Sequence, residues 1–398
     1  MTEVTEQPGP SGPARYVPDD MVVASADREI VEFGLGQLGT PLEPATTEED
    51  RTLGLVLLKG LRPTTLAPGG QPAVDVDRVL ADLRAVFRPK YGGWLPQMGK
   101  NREVASVVAL PGGGGSRTQA VGDPDAATAA QAPPPATGTA GSAARVGVLD
   151  APLYPHPRLV GHVPEGTLLA ELLELRSHDP QWRPWEGHAT FVADLILREA
   201  PAAALAFRRV ALQGVGTGTV WDMARAMAGS AGTGIDILNV SLGCTTDDGE
   251  PPFVLSRAVQ RLAPQMLIVA AAGNHGNDEP LRSTPVWPAA LPDVVAVGAT
   301  DADFSPDLPW VTCTAPGTDV VGAYLTETVT LAAASGTGPA RQRRFDGYAA
   351  WKGTSFAAAT ASGAIAAAMA PGMSAQEALL ALLARPDGVL RRFPFKPM

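Results

Sequence analysis

From residue 145 onward, short apolar runs alternate with longer segments in which apolar residues recur at helical spacing. The runs predict strands at Arg145–Leu149, Leu205–Leu212, Ile237–Leu242, Met266–Ala272, Val294–Ala299 and Trp310–Ala315. The periodic segments predict helices at Thr190–Glu199, Thr219–Met227, Phe253–Leu262, from Ser355 onward and at Ala375–Ala384. Buried strands that alternate with helices form parallel sheets covered on both faces. We therefore predict a three-layer α/β domain over residues 145–398.

A smaller unit with its own pattern precedes this domain, over residues 16–110. Its predicted elements are strands at Met21–Val23, Leu53–Leu58 and Val104–Leu110 and helices at Arg28–Leu38 and Val74–Phe87. This β-α-β-α-β order predicts a small α/β unit. It contains no histidine and no cysteine, so we expect it to fold, bind or inhibit rather than to catalyse.

Two segments have the composition of chain that does not order itself. Residues 1–15 are polar and carry prolines, and they predict a disordered tail. Residues 111–144 are rich in Gly, Ala and Pro and predict a flexible linker. The linker marks the boundary between the small unit and the large domain.

The composition narrows the classes of function. Hydrophobic residues make up 45% of the chain and charged residues 18%, as in globular proteins. The net charge of −10 argues against nucleic acid or an anionic membrane as partner. Two cysteines, Cys244 and Cys313, allow no disulfide framework and no thiolate zinc cluster. Residues 1–20 show no secretory signal, so we expect a cytoplasmic protein.

Four residues with catalytic chemistry fall at predicted strand ends or helix starts. Asp150 ends the first strand of the large domain, His188 and Ser355 begin helices, and Asn274 follows a strand. Such positions are where parallel sheets place functional groups. A buried carboxylate, an imidazole and a hydroxyl together make an activated nucleophile, and a side-chain amide can hold the oxyanion. Each residue alone is more often a cap or a turn residue, but the combination favours catalysis.

The sequence around these residues resembles a known family. Val148–Asp150, Gly187–Thr190, Ala271–Asn274 and Gly353–Ala357 resemble, in order, the signature blocks of subtilisin-like serine peptidases (peptidase family S8). The order Asp, His, Ser is the subtilisin order. The resemblance extends over residues 145–384. It departs from the family pattern at Ala189, Phe191 and Ala359, none of which is a catalytic position.

The resemblance implies a role for each site residue. Asp150 would orient His188, His188 would act as general base and acid, Ser355 would attack, and Asn274 would form the oxyanion hole with the Ser355 N–H. The implied substrate-binding residues are Gly214, Val215, Gly216, Ser241, Leu242 and Gly243, with Ala271, Ala272 and Gly273 as walls of the first specificity pocket. Val286 would lie near the base of that pocket, and the absence of acidic residues there favours a medium apolar or aromatic substrate side chain.

The implied function is that of an intracellular serine endopeptidase acting on extended polypeptides. No cofactor and no metal are implied by the residues, and structural calcium has no assignable site. The unit at 16–110 faintly resembles the propeptide of the family, which would make it an intramolecular inhibitor; the alternative is an unrelated module. Two other functions stay open. An esterase is disfavoured because Gly353-Thr354-Ser355 is not a Gly-x-Ser-x-Gly elbow, and a non-catalytic peptide-binding protein is disfavoured by the complete catalytic set.

Overall fold

The computed structural model describes residues 5–9, 12–65, 73–106, 122–164, 166–167, 170, 181–210, 212, 217–277, 281–331 and 340–392. The helices in this part of the chain are α1 Arg28–Leu35, α2 Val76–Lys90, α3 His188–Glu199, α4 Val220–Ala228, α5 Phe253–Leu262, α6 Thr354–Ala368 and α7 Ala375–Leu383. None of them is both long and apolar enough to cross a membrane.

The strands of the N-terminal half are β1 Thr5–Gly9, β2 Gly12–Ala24, β3 Leu42–Asp50, β4 Leu55–Pro63, β5 Met98–Ser106, β6 Asp125–Ala126, β7 Arg145–Asp150, β8 Ala204–Arg209 and β9 Thr217–Thr219. Those that follow are β10 Ile237–Val240, β11 Leu242–Gly243, β12 Leu267–Ala271, β13 Val294–Ala299, β14 Cys313–Ala315, β15 Val320–Ala323, β16 Thr328–Leu331, β17 Arg341–Arg344, β18 Tyr348–Trp351 and β19 Arg391–Arg392.

The large domain has three layers, which confirms the predicted fold class. Its central sheet has the strand order β19-β14-β13-β12-β10-β7-β8, in which every pair is parallel except β14 with β19. Along β12, Val269 and Ala271 pack with α3 and α6, whereas Ile268 and Ala270 pack with α4 and α5. Because successive side chains of a strand point to opposite faces, a strand buried on both faces is apolar at nearly every position.

The small unit is an antiparallel sheet whose two faces are both covered. Its strands have the order β5-β2-β4-β3. On β2, Met21 and Val23 pack in the core under α1 and α2. Val22 points the other way, into the core that contains α4 and α5 of the large domain. The same alternation along β4 shows that this sheet rests on the large domain.

The last strand of the small unit continues into the large domain. β5 pairs antiparallel with β11 on one side and with β9 on the other. The register places Ser106 opposite Leu242, Ala105 opposite Gly243 and Glu103 opposite Thr219. A segment of the protein's own chain is therefore added as a strand between β9 and β11.

Several predicted boundaries differ from the observed ones. The predicted tail at 1–15 contains β1 and the start of β2, which pair with each other, because backbone pairing can extend a hairpin without apolar side chains. The described part of the predicted linker, residues 122–144, contains β6, which pairs with β18. β3 and β15 to β18 were not predicted; β3 and β17 are mostly polar, and β15, β16 and β18 are only four residues long. The residues predicted as strand at 107–110 lie outside the described residues.

Candidate active site

A buried carboxylate–imidazole pair lies at the carboxyl end of β7. Asp150 is the last residue of β7 and His188 the first of α3, and each side chain is 1% exposed. His188 Nδ1 lies 2.9 Å from both carboxylate oxygens of Asp150. The backbone N–H of Ala151 donates to Asp150 Oδ1 at 2.7 Å. Because a carboxylate only accepts hydrogen bonds, the neutral imidazole that pairs with Asp150 has its proton on Nδ1 and an acceptor at Nε2.

Aromatic packing fixes the His188 ring. The indole of Trp351 stands edge-on to it at a centroid distance of 5.8 Å, and the Phe356 ring lies at 5.5 Å. The turn before α3 passes against Tyr324, where a Cβ added to Gly187 would come within 2.2 Å of the ring. Only glycine fits at that position, which explains the Gly-His pair in the sequence.

Ser355 is the second residue of α6 and directly precedes the Phe356 that packs on His188. Its side chain is fully buried. Within the described chain, neither Ser355 Oγ nor His188 Nε2 has a hydrogen-bond partner, although both atoms are buried. Buried polar groups are nearly always paired, so unpaired ones call for a functional explanation. These are the two groups between which a nucleophile's proton would pass.

Asn274 is held beside the same helix start by Thr354. The Thr354 N–H donates to Asn274 Oδ1 at 2.9 Å, and the Gly273 N–H donates to Thr354 Oγ1 at 3.1 Å. The Asn274 amide nitrogen lies against Gly353, where an added Cβ would be 3.6 Å from Nδ2. Thr354 was not singled out from the sequence; the signal that could have found it is its place between Gly353 and Ser355.

The structure thus pairs Asp150 with His188 and places Asn274 beside the start of α6, the helix that carries Ser355 and whose Phe356 packs on the His188 ring. The comparisons with known proteins identify the family. Residues 141–385 match the model of the subtilase family. The chain belongs to the subtilase family.

Two curated relatives and one solved structure illustrate the similarity in sequence and fold. The subtilase is 31% identical over 205 residues to the minor extracellular protease of Bacillus subtilis strain 168, which covers 48% of this chain and 29% of that protein. It is 30% identical over 202 residues to Subtilisin Savinase of Lederbergia lenta, covering 47% of this chain and 68% of that protein. The crystal structure of fervidolysin from Fervidobacterium pennivorans, a keratinolytic enzyme related to subtilisin, matches with a TM-score of 0.57 at 16% identity. That match covers 96% of this chain and 61% of fervidolysin, and it bears on the fold alone.

The predicted substrate-binding residues of the subtilase fall into three groups. Gly214, Val215 and Gly216 lie outside the described residues, directly before β9. Leu242 and Gly243 form β11 and pair with β5. Ser241, Ala271, Ala272 and Gly273 are buried at the ends of β10 and β12.

Ser241 does not point its hydroxyl into the cleft. Its Oγ accepts from the Asn239 amide at 3.2 Å, and Asn239 Oδ1 accepts from the Ser362 hydroxyl at 3.0 Å. Since Ser362 is on α6, this chain of hydrogen bonds ties the strand that ends at Ser241 to the helix that begins with Ser355. Ser241 thus contributes backbone rather than a reactive side chain.

Two other kinds of reactive group, a cysteine thiol and a metal site, were considered near the cleft. Burial raises the pKa of Cys244 to about 12, so its thiol is neutral near pH 7 and a poor nucleophile. Among the described residues, no three His, Cys, Asp or Glu side chains are grouped so that they could hold a metal ion, and calcium has no assigned site there. The hydroxyl of Ser355 is the group that this arrangement equips to react.

Proposed function

We propose that this subtilase is a serine endopeptidase that cleaves extended polypeptides through an acyl-enzyme. The observation that carries the proposal is the buried Asp150–His188 pair, whose Nε2 and the nearby Ser355 hydroxyl both lack a partner in the described chain. A hydroxyl is a useful nucleophile only when a neutral imidazole accepts its proton. Asp150 supplies the charge that stabilises the imidazolium formed in that step.

The reaction follows from these positions. Ser355 Oγ attacks the substrate carbonyl while His188 Nε2 takes the hydroxyl proton. The carbonyl oxygen becomes negatively charged and faces the Asn274 amide and the Ser355 N–H near the start of α6, where the helix dipole favours negative charge. His188 then protonates the leaving amine, and water repeats the sequence to release the acid.

Replacing Asn274 with Ala tests the oxyanion role. We expect kcat to fall roughly 10²–10³-fold with little change in KM, because the amide acts on charge that develops only in the transition state. Hydrolysis of a peptide anilide measures both constants. Asn277→Ala, three residues further and exposed, is the matched control. A loss below about threefold at Asn274 would mean that its amide does not face the oxyanion.

The nature of the substrate is suggested by the protein's own chain. Residues 103–106 lie as an extended strand between β9 and β11 and pair with both. Such strand addition recognises a peptide through its backbone, and an ester without neighbouring amide groups could not make these bonds. This favours a peptidase over the alternative of an esterase.

We propose further that the small unit restrains the enzyme by occupying this cleft. Polar contacts from residues of β5 hold the small unit on the large domain. The buried Arg102 guanidinium lies 3.0 Å from Asp247, and Asn101 Oδ1 accepts from the Trp221 N–H at 3.2 Å. Burial by itself would raise the pKa of Asp247, but the Arg102 hydrogen bond and the Lys100 charge hold it below its ordinary value. Because the pKa of Asp247 is lowered, its ion pair with Arg102 contributes its full stabilisation of the docked unit at neutral pH. That stabilisation is lost as the pH falls through the lowered pKa.

The segment between the unit and the large domain is the expected cleavage site. Its near end, Ser106, is opposite Leu242 in the cleft. Beyond its far end, the Gly122 carbonyl accepts from the Trp351 indole at 3.1 Å, and Trp351 packs on His188. The described residues on either side, Ser106 and Gly122, thus contact elements of the candidate active site.

Mass spectrometry of the purified chain tests this processing. We expect the protein to yield two fragments whose new termini lie within residues 107–121, and Ser355→Ala protein to stay intact under the same conditions. Identical cleavage of both proteins would assign the cut to another protease. An intact wild-type chain that nevertheless cleaves added peptides would contradict the proposed processing.

The alternative function and the cellular location remain predictions from the sequence. A non-catalytic peptide-binding protein stays the alternative, and it is disfavoured because binding alone needs no buried Asp150–His188 pair. The cytoplasmic location stays a prediction, and one of the relatives is by name an extracellular protease.

A further inference from the structure

The side chain of Val286 lies against both glycines that border the cleft. Gly243 ends β11, and Gly273 lies two residues beyond the end of β12. A Cβ added to Gly243 would lie 2.9 Å from Val286 Cγ1, and one added to Gly273 would lie 2.9 Å from Val286 Cγ2. An added Cβ would also meet the Trp287 carbonyl oxygen at Gly243, at 2.8 Å, and the His275 ring at Gly273, at 2.6 Å. Val286 is fully buried. Its two methyl groups therefore reach both backbone walls at once.

The segment that carries Val286 is held on both sides. Before it, the Thr284 carbonyl lies 3.0 Å from His275 Nε2. After it, Trp287 and Cys244 exchange two backbone hydrogen bonds of 3.0 and 2.9 Å, and the Trp287 indole donates to Thr246 at 3.2 Å. Because both flanks are tied to the walls of the cleft, Val286 cannot swing aside to admit a large group.

The side chain that would meet Val286 belongs to the residue before the scissile bond. A substrate that pairs with β11 in the direction of β5 would have one residue opposite Leu242, as Ser106 is, and its following residue would come to Ser241. A substrate residue at that place would turn its carbonyl toward Ser355 and Asn274 and its side chain into the space between Gly243 and Gly273. The depth available to it is limited by the Val286 methyl groups.

We propose that Val286 makes this subtilase selective for a small residue, Gly, Ala or Ser, before the scissile bond. The proposal rests on the proposed peptidase activity and differs from the medium apolar or aromatic side chain predicted from the sequence. That prediction considered only charge, whereas the contacts of Gly243 and Gly273 concern volume. Since a single methylene in an apolar pocket changes kcat/KM by roughly 10–200-fold, a whole aromatic ring should be discriminated strongly.

The full-length protein can be tested with two peptidyl diphenyl phosphonates that differ only in the last side chain, that of alanine or that of phenylalanine. Both probes phosphonylate a catalytic serine, with loss of a phenol as the Ser355 Oγ–P bond forms. Both probes reach Ser355 only when β5 leaves the cleft, so this step affects their labelling rates equally. The ratio of the two rates therefore measures how well the pocket accepts each side chain. Intact-mass spectrometry measures the rates, and peptide mapping locates the adduct.

We expect the alanine probe to label Ser355 at least about tenfold faster than the phenylalanine probe in the wild-type protein. Val286→Ala should reduce that ratio by about tenfold or more, chiefly through faster labelling by the phenylalanine probe, and Val286→Gly should reduce it further. Val259→Ala removes the same two methyl groups from a buried position on α5 and should leave the ratio unchanged.

The outcomes separate the inference from the function on which it rests. Faster labelling of wild-type Ser355 by the phenylalanine probe would overturn the inference while supporting the peptidase proposal, whether or not the variants fold. An equal fall of the ratio in Val259→Ala would overturn the role of Val286. If neither these probes nor a small fluorophosphonate labelled Ser355, the proposed activity itself would fail, and the inference with it.

Discussion

Ser355→Ala is expected to lower kcat for peptide hydrolysis by roughly 10⁶-fold, the size of the loss when the nucleophile of subtilisin is removed. The hydroxyl is buried at the start of α6 and has no partner elsewhere in the described residues. Alanine removes the attacking oxygen and leaves His188, Asp150 and Asn274 in place. Residual catalysis should come only from the oxyanion donors and from binding. The rate of release from a peptide anilide, followed over hours at high protein concentration, measures the loss.

The matched control is Ser256→Ala, which removes another buried hydroxyl without a partner in the described chain, on α5 far from the imidazole. This variant should retain wild-type kcat, since Ser256 contacts none of the catalytic residues. A Ser355→Ala protein that kept more than about a tenth of wild-type activity would show that another group is the nucleophile.

Asp150→Asn should lower kcat by roughly 10⁴-fold while leaving the fold intact. The carboxylate lies 2.9 Å from His188 Nδ1 with both oxygens. An amide in that place can turn its own N–H toward Nδ1, which moves the imidazole proton to Nε2. A protonated Nε2 cannot accept the hydroxyl proton of Ser355, and the imidazolium would have no charge beside it. Steady-state hydrolysis gives kcat, and the thermal midpoint shows whether the protein is folded.

Asp236→Asn is the control for this change. Asp236 directly precedes β10 and accepts a hydrogen bond from the Arg145 N–H at 2.8 Å, at the opposite end of β7 from Asp150. The substitution therefore removes a carboxylate that is bonded to the same strand without touching the imidazole. It should alter stability more than kcat. If Asp150→Asn lost no more activity than Asp236→Asn, the carboxylate would not be setting the proton position of His188.

The elements of the large domain could be predicted from the sequence because its strands are buried on both faces. Val294–Ala299 and Phe253–Leu262 were predicted with the observed bounds, since the fully buried strand is a continuous apolar run and the helix has apolar residues at helical spacing on the face that it buries. β3 and the strands between residues 320 and 351 were missed. β17, for example, is Arg-Gln-Arg-Arg and is mostly exposed, so its pairing with β16 is set by backbone hydrogen bonds and not by apolar residues.

For the site, the sequence led to the Asp150–His188 pair that the structure contains, but not to what surrounds it. Asp150, His188, Asn274 and Ser355 could be predicted because each follows a strand or begins a helix at one edge of the sheet. The insertion of β5 between β9 and β11 depends on how two units pack, and no local pattern encodes it. The same holds for Val286, whose contacts with Gly243 and Gly273 join segments that are far apart in the chain.

The most direct test of the central claim is the position of a fluorophosphonate adduct on the full-length protein. After digestion, mass spectrometry should find the adduct on Ser355, and Asp150→Asn protein should label far more slowly because its imidazole cannot take the hydroxyl proton. An adduct on another residue, or equal labelling of the wild-type and Asp150→Asn proteins, would contradict the account.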